Sequence, residues 1–356
     1  NTKTWDYHCG TMTFGNTRVF NEALENRYGK PLDIKQYIAE AQAQNYEAHR
    51  AMMEGYGLHK YNTATGVVQW MGSNPWPGLI WHTYDYYLYP AGTYFGMKKS
   101  MEPLHIMYSY ANNEVDIINS LLTKFNGLQA EATIFNLDGT QKYTNTATVD
   151  VDADGTAKCF ALPAASEFSD TYFLRLQLTD DKGTVHSVNW YWLSKKGDVL
   201  NWQKSKWYTT PETSYTDYTA LQSLGKTSLK VSYYTDKKAD STYQAVTIAN
   251  TGKTVAFQVH LRALKGQRGD DILPVFFSDN YIELAPGESE TRKFAAFFPT
   301  AGEHVVAASL GSDALATDNL RFTLVDLPAS TPVLLIDGAA DSLNARYLAA
   351  ALSPGG

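Results

Sequence analysis

Hydrophobic residues change their spacing at Pro103, and that change limits what the chain can fold into. Upstream, Ile34, Ile38, Ala41, Ala48 and Met52 recur near the helical period and predict a buried stripe on one helix. Downstream, Tyr172, Leu174, Leu176 and Leu178 alternate with Phe173, Arg175 and Gln177, the period of a half-buried strand. Val188, Trp190 and Trp192 repeat the device, and Asp138-Gly139, Asp154-Gly155 and Lys182-Gly183 mark turns between strands. The chain therefore reads as α/β first and all-β afterwards. Residues 103–208 are predicted to form an immunoglobulin-like β-sandwich.

The upstream part, residues 1–102, has its own logic. Asn1 to Thr17 is loop-like, and Val19 to Arg27 predicts a short helix. Asp33-Ile34-Lys35-Gln36 has the form of a capping box, and the helix it opens runs to about Tyr56, where Gly55 and Gly57 supply the stop. Asn45 interrupts the apolar stripe. Glu40, Glu47 and Glu54 recur every seventh residue and are expected on a solvated face, not as paired catalytic acids. Val67 to Trp70 suits a short buried strand of a parallel sheet, and Thr93 to Met101 a second helix. A strand ending in a rigid aromatic loop is how a TIM barrel builds its functional face, but a barrel takes eight strands and roughly 250 residues. This piece cannot close one alone, so its apolar faces need partners from outside it.

The loop after that strand is dense in aromatic rings. Trp70, Trp76, Trp81, Tyr84, Tyr86, Tyr87 and Tyr89 fall within twenty residues, broken by Gly72, Pro75, Pro77 and Gly78. Ring faces stack on the C–H side of a pyranose while Asn, Asp and His take its hydroxyls; an aromatic-rich core segment would look similar. Asn74 and Trp76, with Trp81 and Tyr84, are the candidate sugar contacts, and Trp76 is the expected stacking platform. Asp85 is the one acid between Trp70 and Tyr89. It is suited to a sugar hydroxyl or a substrate ammonium, or to a hydrogen bond within the loop. Trp5 and His8 read on their own as an ordinary packed Trp and a surface His.

The ordered run Asn74-Pro75-Trp76-Pro77, then Trp81 to Tyr87, then Tyr94-Phe95-Gly96-Met97-Lys98-Lys99, then Glu102-Pro103-Leu104-His105-Ile106 resembles glycoside hydrolase family 2. The likeness is to its exo-β-glucosaminidase and β-mannosidase-like branches, over residues 5–290. It implies the last strand and loop of a TIM barrel, with Trp5 and His8 at the mouth of the same site, followed by two sandwiches. Tyr191-Trp192-Leu193-Ser194 with Asp198-Val199-Leu200 matches the close of the first. Leu273 to Tyr281 and Leu284-Ala285-Pro286-Gly287-Glu288 match the second, residues 209–327, entered through a linker at Thr209 to Ser214. Within it Asn250-Thr251-Gly252 is expected to be a hairpin turn between the strands around Val246 and Val255 to Leu261. After about Thr291 the phrasing resembles bacterial Ig-like segments that precede a von Willebrand A-like domain. Val333 to Gly338 and Ser342 to Leu352 fit the first strand and helix of such a unit, residues 328–356. That short α/β tail cannot bury a sheet face and suggests a join of unrelated reading frames.

Retaining glycosidases use two carboxylates about 5–5.5 Å apart. The resemblance implies that both lie on earlier barrel strands, upstream of Asn1, so no catalytic residue is assigned here and the chain alone is expected to be inactive. Its implied partner is a carbohydrate, a chitosan-type or mannose-containing oligosaccharide, together with the missing barrel half. A secreted or periplasmic setting is also implied. A non-catalytic carbohydrate-binding or structural Ig-like protein is the alternative. Net charge −7 argues against a nucleic-acid partner. No apolar run reaches the ~18 residues of a membrane span. The two cysteines, Cys9 and Cys159, are expected to be free, and the eight histidines lack metal-ligand spacing, so no cofactor or metal is expected. Ser278-Asp279-Asn280 lacks the Ser-x-x-Lys partner of a β-lactamase. Gly225-Lys226-Thr227 and Gly252-Lys253-Thr254 lack the earlier glycine of a P-loop, which is Ala220 and Thr247 instead.

Overall fold

A computed structural model describes residues 2–10, 12–238, 241–265, 269–296, 302–309 and 320–327. The chain is mostly β-sheet, with Ig-like domains and few helices. Strands β1 (Leu104–Ser109), β2 (Glu114–Asn119) and β5 (Thr156–Ala161) form one sheet of the first sandwich. Strands β3 (Phe125–Asn136), β4 (Gln141–Val151), β6 (Thr171–Thr179) and β7 (Val185–Ser194) form the other, in the order β4-β3-β6-β7. The alternation seen in the sequence is what fills the space between them: Leu174, Leu176 and Leu178 are fully buried against Ile106, Val115, Ile117 and Leu128. The intervening positions were expected to be half-buried. Phe173 is instead fully buried, because the outer face of this sheet is itself covered. Phe173 and Trp192 meet Phe257 at ring-centroid distances of 5.6 and 5.0 Å, which joins the first sandwich to the second in one apolar cluster.

The segment expected to be a linker carries a strand, β9 (Glu212–Ser214), paired with β8 (Val199–Leu200). The second sandwich has β10 (Leu229–Lys238), β11 (Ser241–Asn250), β16 (Ser289–Ala296) and β14 (Val275–Phe277) in that order. Strands β12 (Ala256–Val259) and β15 (Ile282–Leu284) form a second pair, and β13 (Leu264–Lys265), β17 (Gly302–Ser309) and β18 (Leu320–Leu327) a third sheet. Asn250-Thr251-Gly252 is not a hairpin turn: β11 pairs with β10 and β16, while β12 pairs with β15. The side chain of Asn250 explains the crossing. It is buried, donates to Leu284 O and Thr254 O, and accepts from Thr227 Oγ1, so it pins the chain as it passes between sheets. The expected strand Val333 to Gly338 and helix Ser342 to Leu352 lie outside the described residues.

Four α-helices lie among the described residues: α1 (Thr2–Tyr7), α2 (Arg18–Tyr28), α3 (Ile34–Leu58) and α4 (Gly92–Ser100). Asp33 caps α3 by accepting from Gln36 N at 2.9 Å, and Gln36 Oε1 accepts from Leu32 N, close to the capping box expected. The glycines expected to stop α3 lie inside it. Its burial is the reverse of the expectation. Ile34 and Ile38 are 54% and 52% exposed and Met52 is also exposed, whereas Glu40, Tyr46, Arg50, Met53 and Glu54 are buried. The reason is what the helix packs on. Its polar face meets a polar strip on the first sandwich, and the apolar stripe is left uncovered by the described residues.

That polar contact is a network centred on one oxygen of Glu54. Glu54 Oε1 accepts from Tyr191 Oη at 2.7 Å and from Asn189 Nδ2 at 2.9 Å, and lies 2.9 Å from His105 Nε2. His105 Nδ1 lies 3.1 Å from Glu102, which pairs through Lys99 with Asp279 of the second sandwich. The two carboxylates raise the His105 pKa against the effect of burial. The same contacts, from His105 first and then Lys99, hold Glu102 down to about 2 although burial opposes them. The signs of the linkage differ. The stabilisation from His105 is complete below pH ~6.5 and is lost as pH rises through its folded value; that from Glu102 is complete above pH ~4.5 and is lost as pH falls towards 2. His105→Gln is therefore expected to cost more stability at pH 6 than at pH 9. Urea midpoints at both values measure this, and an equal loss at both would contradict a charged His105.

Candidate functional site

Val67 to Trp70 do not form the expected strand. No strand among the described residues pairs with them, and Val68 and Trp70 are 88% and 72% exposed. The loop that follows is held by short-range pairings. Tyr84 N donates to Gly72 O at 2.9 Å, Thr83 Oγ1 donates to the same carbonyl at 2.7 Å, and Ala91 N donates to Thr83 O, which delivers the chain into α4. Asp85 Oδ1 accepts from Tyr87 N and Tyr89 N, both at 2.8 Å, so it shapes the turn that carries Tyr86 and Tyr87 outwards.

Beside this turn is an open cleft of about 490 Å³, lined by Thr4, Trp5 and His8 from the N-terminal segment and by Pro77, Gly78, Leu79, Asp85, Tyr86 and Tyr87 from the loop. The two segments are sewn together: Leu79 N donates to His8 O at 2.6 Å, and Pro77 O accepts from His8 Nδ1 at 2.6 Å. A carbonyl can only accept, so the second bond puts a proton on Nδ1. Trp76 borders the cleft, 38% exposed, stacked on His8 with centroids 5.4 Å apart and edge-on to Tyr7. Asn74 sits behind it and donates to Gly78 O at 3.4 Å.

The five candidates named from sequence therefore divide. Asp85 lines the cleft, and Trp76 and Asn74 flank it. Trp81 lies elsewhere: its Nε1 donates to Trp70 O at 2.6 Å and its ring meets Phe14. Tyr84 packs on Tyr94 of α4, centroids 5.0 Å apart, and burial raises its pKa. Trp5 and His8 join the site. They sit some seventy residues upstream, and only the resemblance gave a reason to bring the two segments together. Tyr86, Tyr87 and Leu79 are lining residues that aromatic density alone did not separate from their neighbours.

The loop is also tied to the second sandwich. Tyr89 Oη and His260 Nε2 are 2.5 Å apart, and His260 stacks on Tyr281 with centroids 4.5 Å apart. Burial drives the His260 pKa down to about 4 and the Tyr89 pKa up, so the phenol donates and the neutral imidazole accepts. Because Tyr89 N also holds Asp85, this contact sets where the cleft turn sits. Tyr89→Phe keeps the ring and removes the bond, at a cost of about 1 kcal/mol. Amide exchange at Tyr87 and Tyr89 is expected to quicken; unchanged exchange there would show that the sandwich does not position the turn.

Chemically, the cleft offers ring faces, a carbonyl-oriented imidazole and one carboxylate. Among the described residues Asp85 is the only acid lining it, so these residues hold no acid/base pair of the kind a glycosidic bond needs. No cluster of metal ligands occurs among the described residues, and both cysteines are free.

A family model described as the exo-β-D-glucosaminidase Ig-fold domain matches residues 207–307, and one described as a mannosidase Ig/CBM-like domain matches residues 112–196. The first match runs past Thr291, where the family likeness was expected to end. The chain is 39% identical over 294 residues to an exo-β-D-glucosaminidase of Amycolatopsis orientalis, an alignment that covers 80% of this chain and 28% of that protein. It is 40% identical over 297 residues to one of Streptomyces avermitilis, covering 80% and 32%. The solved exo-chitosanase of Amycolatopsis orientalis superposes with a TM-score of 0.80 at 34% identity, over 92% of this chain and 39% of that one. The chain thus spans about a third of the length of the curated relatives it matches, and it carries Ig-fold domains of the exo-β-D-glucosaminidase and mannosidase type.

Proposed function

We propose that this chain is the C-terminal part of a family 2 glycoside hydrolase, an exo-β-D-glucosaminidase acting on β-linked amino sugar, and that it supplies the rim of the sugar site. The observation that carries the proposal is an open cleft, framed by the aromatic loop and bordered by Trp76, in a chain about 40% identical to exo-β-D-glucosaminidases. Residues 1–102 are then the last piece of a TIM barrel. The uncovered stripe of Ile34, Ile38 and Met52 and the unpaired Val67 to Trp70 support this, since both are surfaces that further barrel elements would cover. Residues 103–208 and 209–327 are the sandwich domains that brace it. Trp76 and Asp85, with Asn74 behind Trp76, are the contacts of the terminal sugar, while Trp81 and Tyr84 support the loop through Phe14 and Tyr94. The catalytic carboxylates belong to the part of the protein before Asn1, and the whole enzyme works in a secreted or periplasmic setting. The tail 328–356 is a join to an unrelated frame, which long-read sequencing of the locus would test.

The decisive experiment supplies p-nitrophenyl β-D-glucosaminide to this chain alone and to this chain extended by the upstream barrel. Turnover is expected only from the extended protein. Hydrolysis by the 356 residues alone, or none by either, would refute the assignment.

A further inference from the structure

A second group of aromatic rings gathers around Trp81 of the same loop. Trp81 meets Phe14 at 4.8 Å between centroids, Phe14 meets Tyr208 at 5.6 Å and Trp207 at 6.2 Å, and Trp207 meets Tyr208 at 5.1 Å. Trp207 and Trp202 come from the loop joining β8 to β9, at the end of the first sandwich, and are 83% and 71% exposed. That loop is built, not slack: Asn201 N donates to Pro211 O at 2.7 Å, Lys206 N donates to Thr209 O at 2.8 Å, and Ser205 and Thr210 share a hydroxyl bond. Two tryptophans held out into solvent on a braced loop cost solubility without helping the core.

Three features say what they face. The patch is aromatic, whereas the uncovered stripe of Ile34, Ile38 and Met52 on α3 is aliphatic; flat rings suit the C–H faces of sugars better than they suit helix packing. It adjoins the cleft, because Leu79 lines the cleft, Ile80 and Phe14 both pack against Gly10, and Phe14 meets Trp81 of the patch. And exposed Gln203, on the same loop, offers an amide donor and acceptor for sugar hydroxyls. We propose that the 201–210 loop is an accessory sugar platform, on which further units of a β-linked amino-sugar chain lie once its terminal unit occupies the cleft. This rests on the function proposed above. An enzyme trimming single units from a chain's end must hold the remainder somewhere, and this platform lies beside the cleft.

The test measures binding of glucosamine and of chitosan tetramer to the 356-residue chain by ligand-observed NMR. Trp207→Ala with Trp202→Ala is expected to weaken tetramer binding about tenfold and to leave glucosamine binding unchanged. Trp76→Ala is expected to weaken both. Because both loop tryptophans are exposed, an unchanged thermal midpoint confirms that the double variant folds. Tetramer binding unaltered in the double variant would overturn the platform and leave the cleft standing; it would mean that the rings are covered by another part of the protein. No binding of either sugar by the unaltered chain, or tetramer binding no tighter than monomer, would overturn it as well, the former together with the cleft.

Discussion

Arg50→Ala is expected to destabilise the chain by about 3–5 kcal/mol, the range for stripping one partner from a buried charge system. Arg50 is fully buried. Its Nη1 donates to Trp190 O and to Asn189 Oδ1, and its guanidinium lies 3.9 Å from the centre of the Tyr191 ring, with Tyr46 and Trp192 at 5.4 and 5.5 Å. Nε and Nη2 have no acceptor, so stacking on rings takes the place of hydrogen bonds on that edge. The charge also offsets acids around it. Glu47 and Glu283 are pushed up by burial, Glu283 to about 8, and Arg50 is among the groups that pull each back down. Removing it leaves those carboxyls in a low-dielectric site, a carbonyl without its donor and a void between α3 and the first sandwich. Arg50→Met fills the void without the charge and should recover part of the loss. Arg50→Lys should recover little, because an ammonium cannot lie flat on Tyr191. Denaturant midpoints followed by tryptophan fluorescence suit the test, since Trp190 and Trp192 adjoin the site. A loss below about 1 kcal/mol for Arg50→Ala would show that the network does not hold the helices to the sandwich.

Arg50 also marks where sequence reading stops. Alternation predicted the first sandwich because each strand has two faces and one of them is apolar; Leu174, Leu176 and Leu178 left no choice. Asp33 and Gln36 predicted the start of α3 because a cap is a local interaction. Which side of α3 is buried is not local. Ile34, Ile38 and Met52 form a proper apolar stripe, yet the side that packs within this chain carries Arg50 and Glu54, whose partners His105, Asn189 and Tyr191 come from strands fifty to a hundred and forty residues away. Val67 to Trp70 failed as a strand for the same reason, since a strand exists only with a neighbour. For the cleft, aromatic density found the loop and its Asp85 but could not say that Trp81 turns away from Trp76, because that depends on Phe14 and Trp207 from distant segments.

Adding one methyl group at Gly96 should do damage comparable to the loss of a core side chain. A Cβ there would sit 2.3 Å from Tyr46 O, and one at Gly92, a turn earlier, 2.4 Å from Gln42 O. Both clashes are with the backbone of α3, so no rotamer change relieves them. The helices touch main chain to main chain, and α4 must move for Gly96→Ala to be accommodated. It has little room to do so. On its other side Phe95 is fully buried against Tyr281, Lys98 Nζ donates to Phe277 O at 2.8 Å, and Lys99 pairs with Asp279 at 3.0 Å. Overpacking costs about 1–3 kcal/mol, occasionally more, and the backbone clash puts this site at the upper end, against a gain of at most about 1 kcal/mol from helix propensity. Gly55→Ala is the matched control: it is also helical, but open space surrounds its Cβ, so it should stabilise by up to about 1 kcal/mol. The two variants differ by the same methyl and are expected to move the denaturation midpoint in opposite directions. Because Ala91 and Gly92 carry the aromatic loop into α4, Gly96→Ala should also quicken amide exchange at Tyr84 and Tyr89. A Gly96→Ala chain as stable as the parent would mean that α3 and α4 are not in backbone contact, and the cleft would lose the helix on which its loop is set.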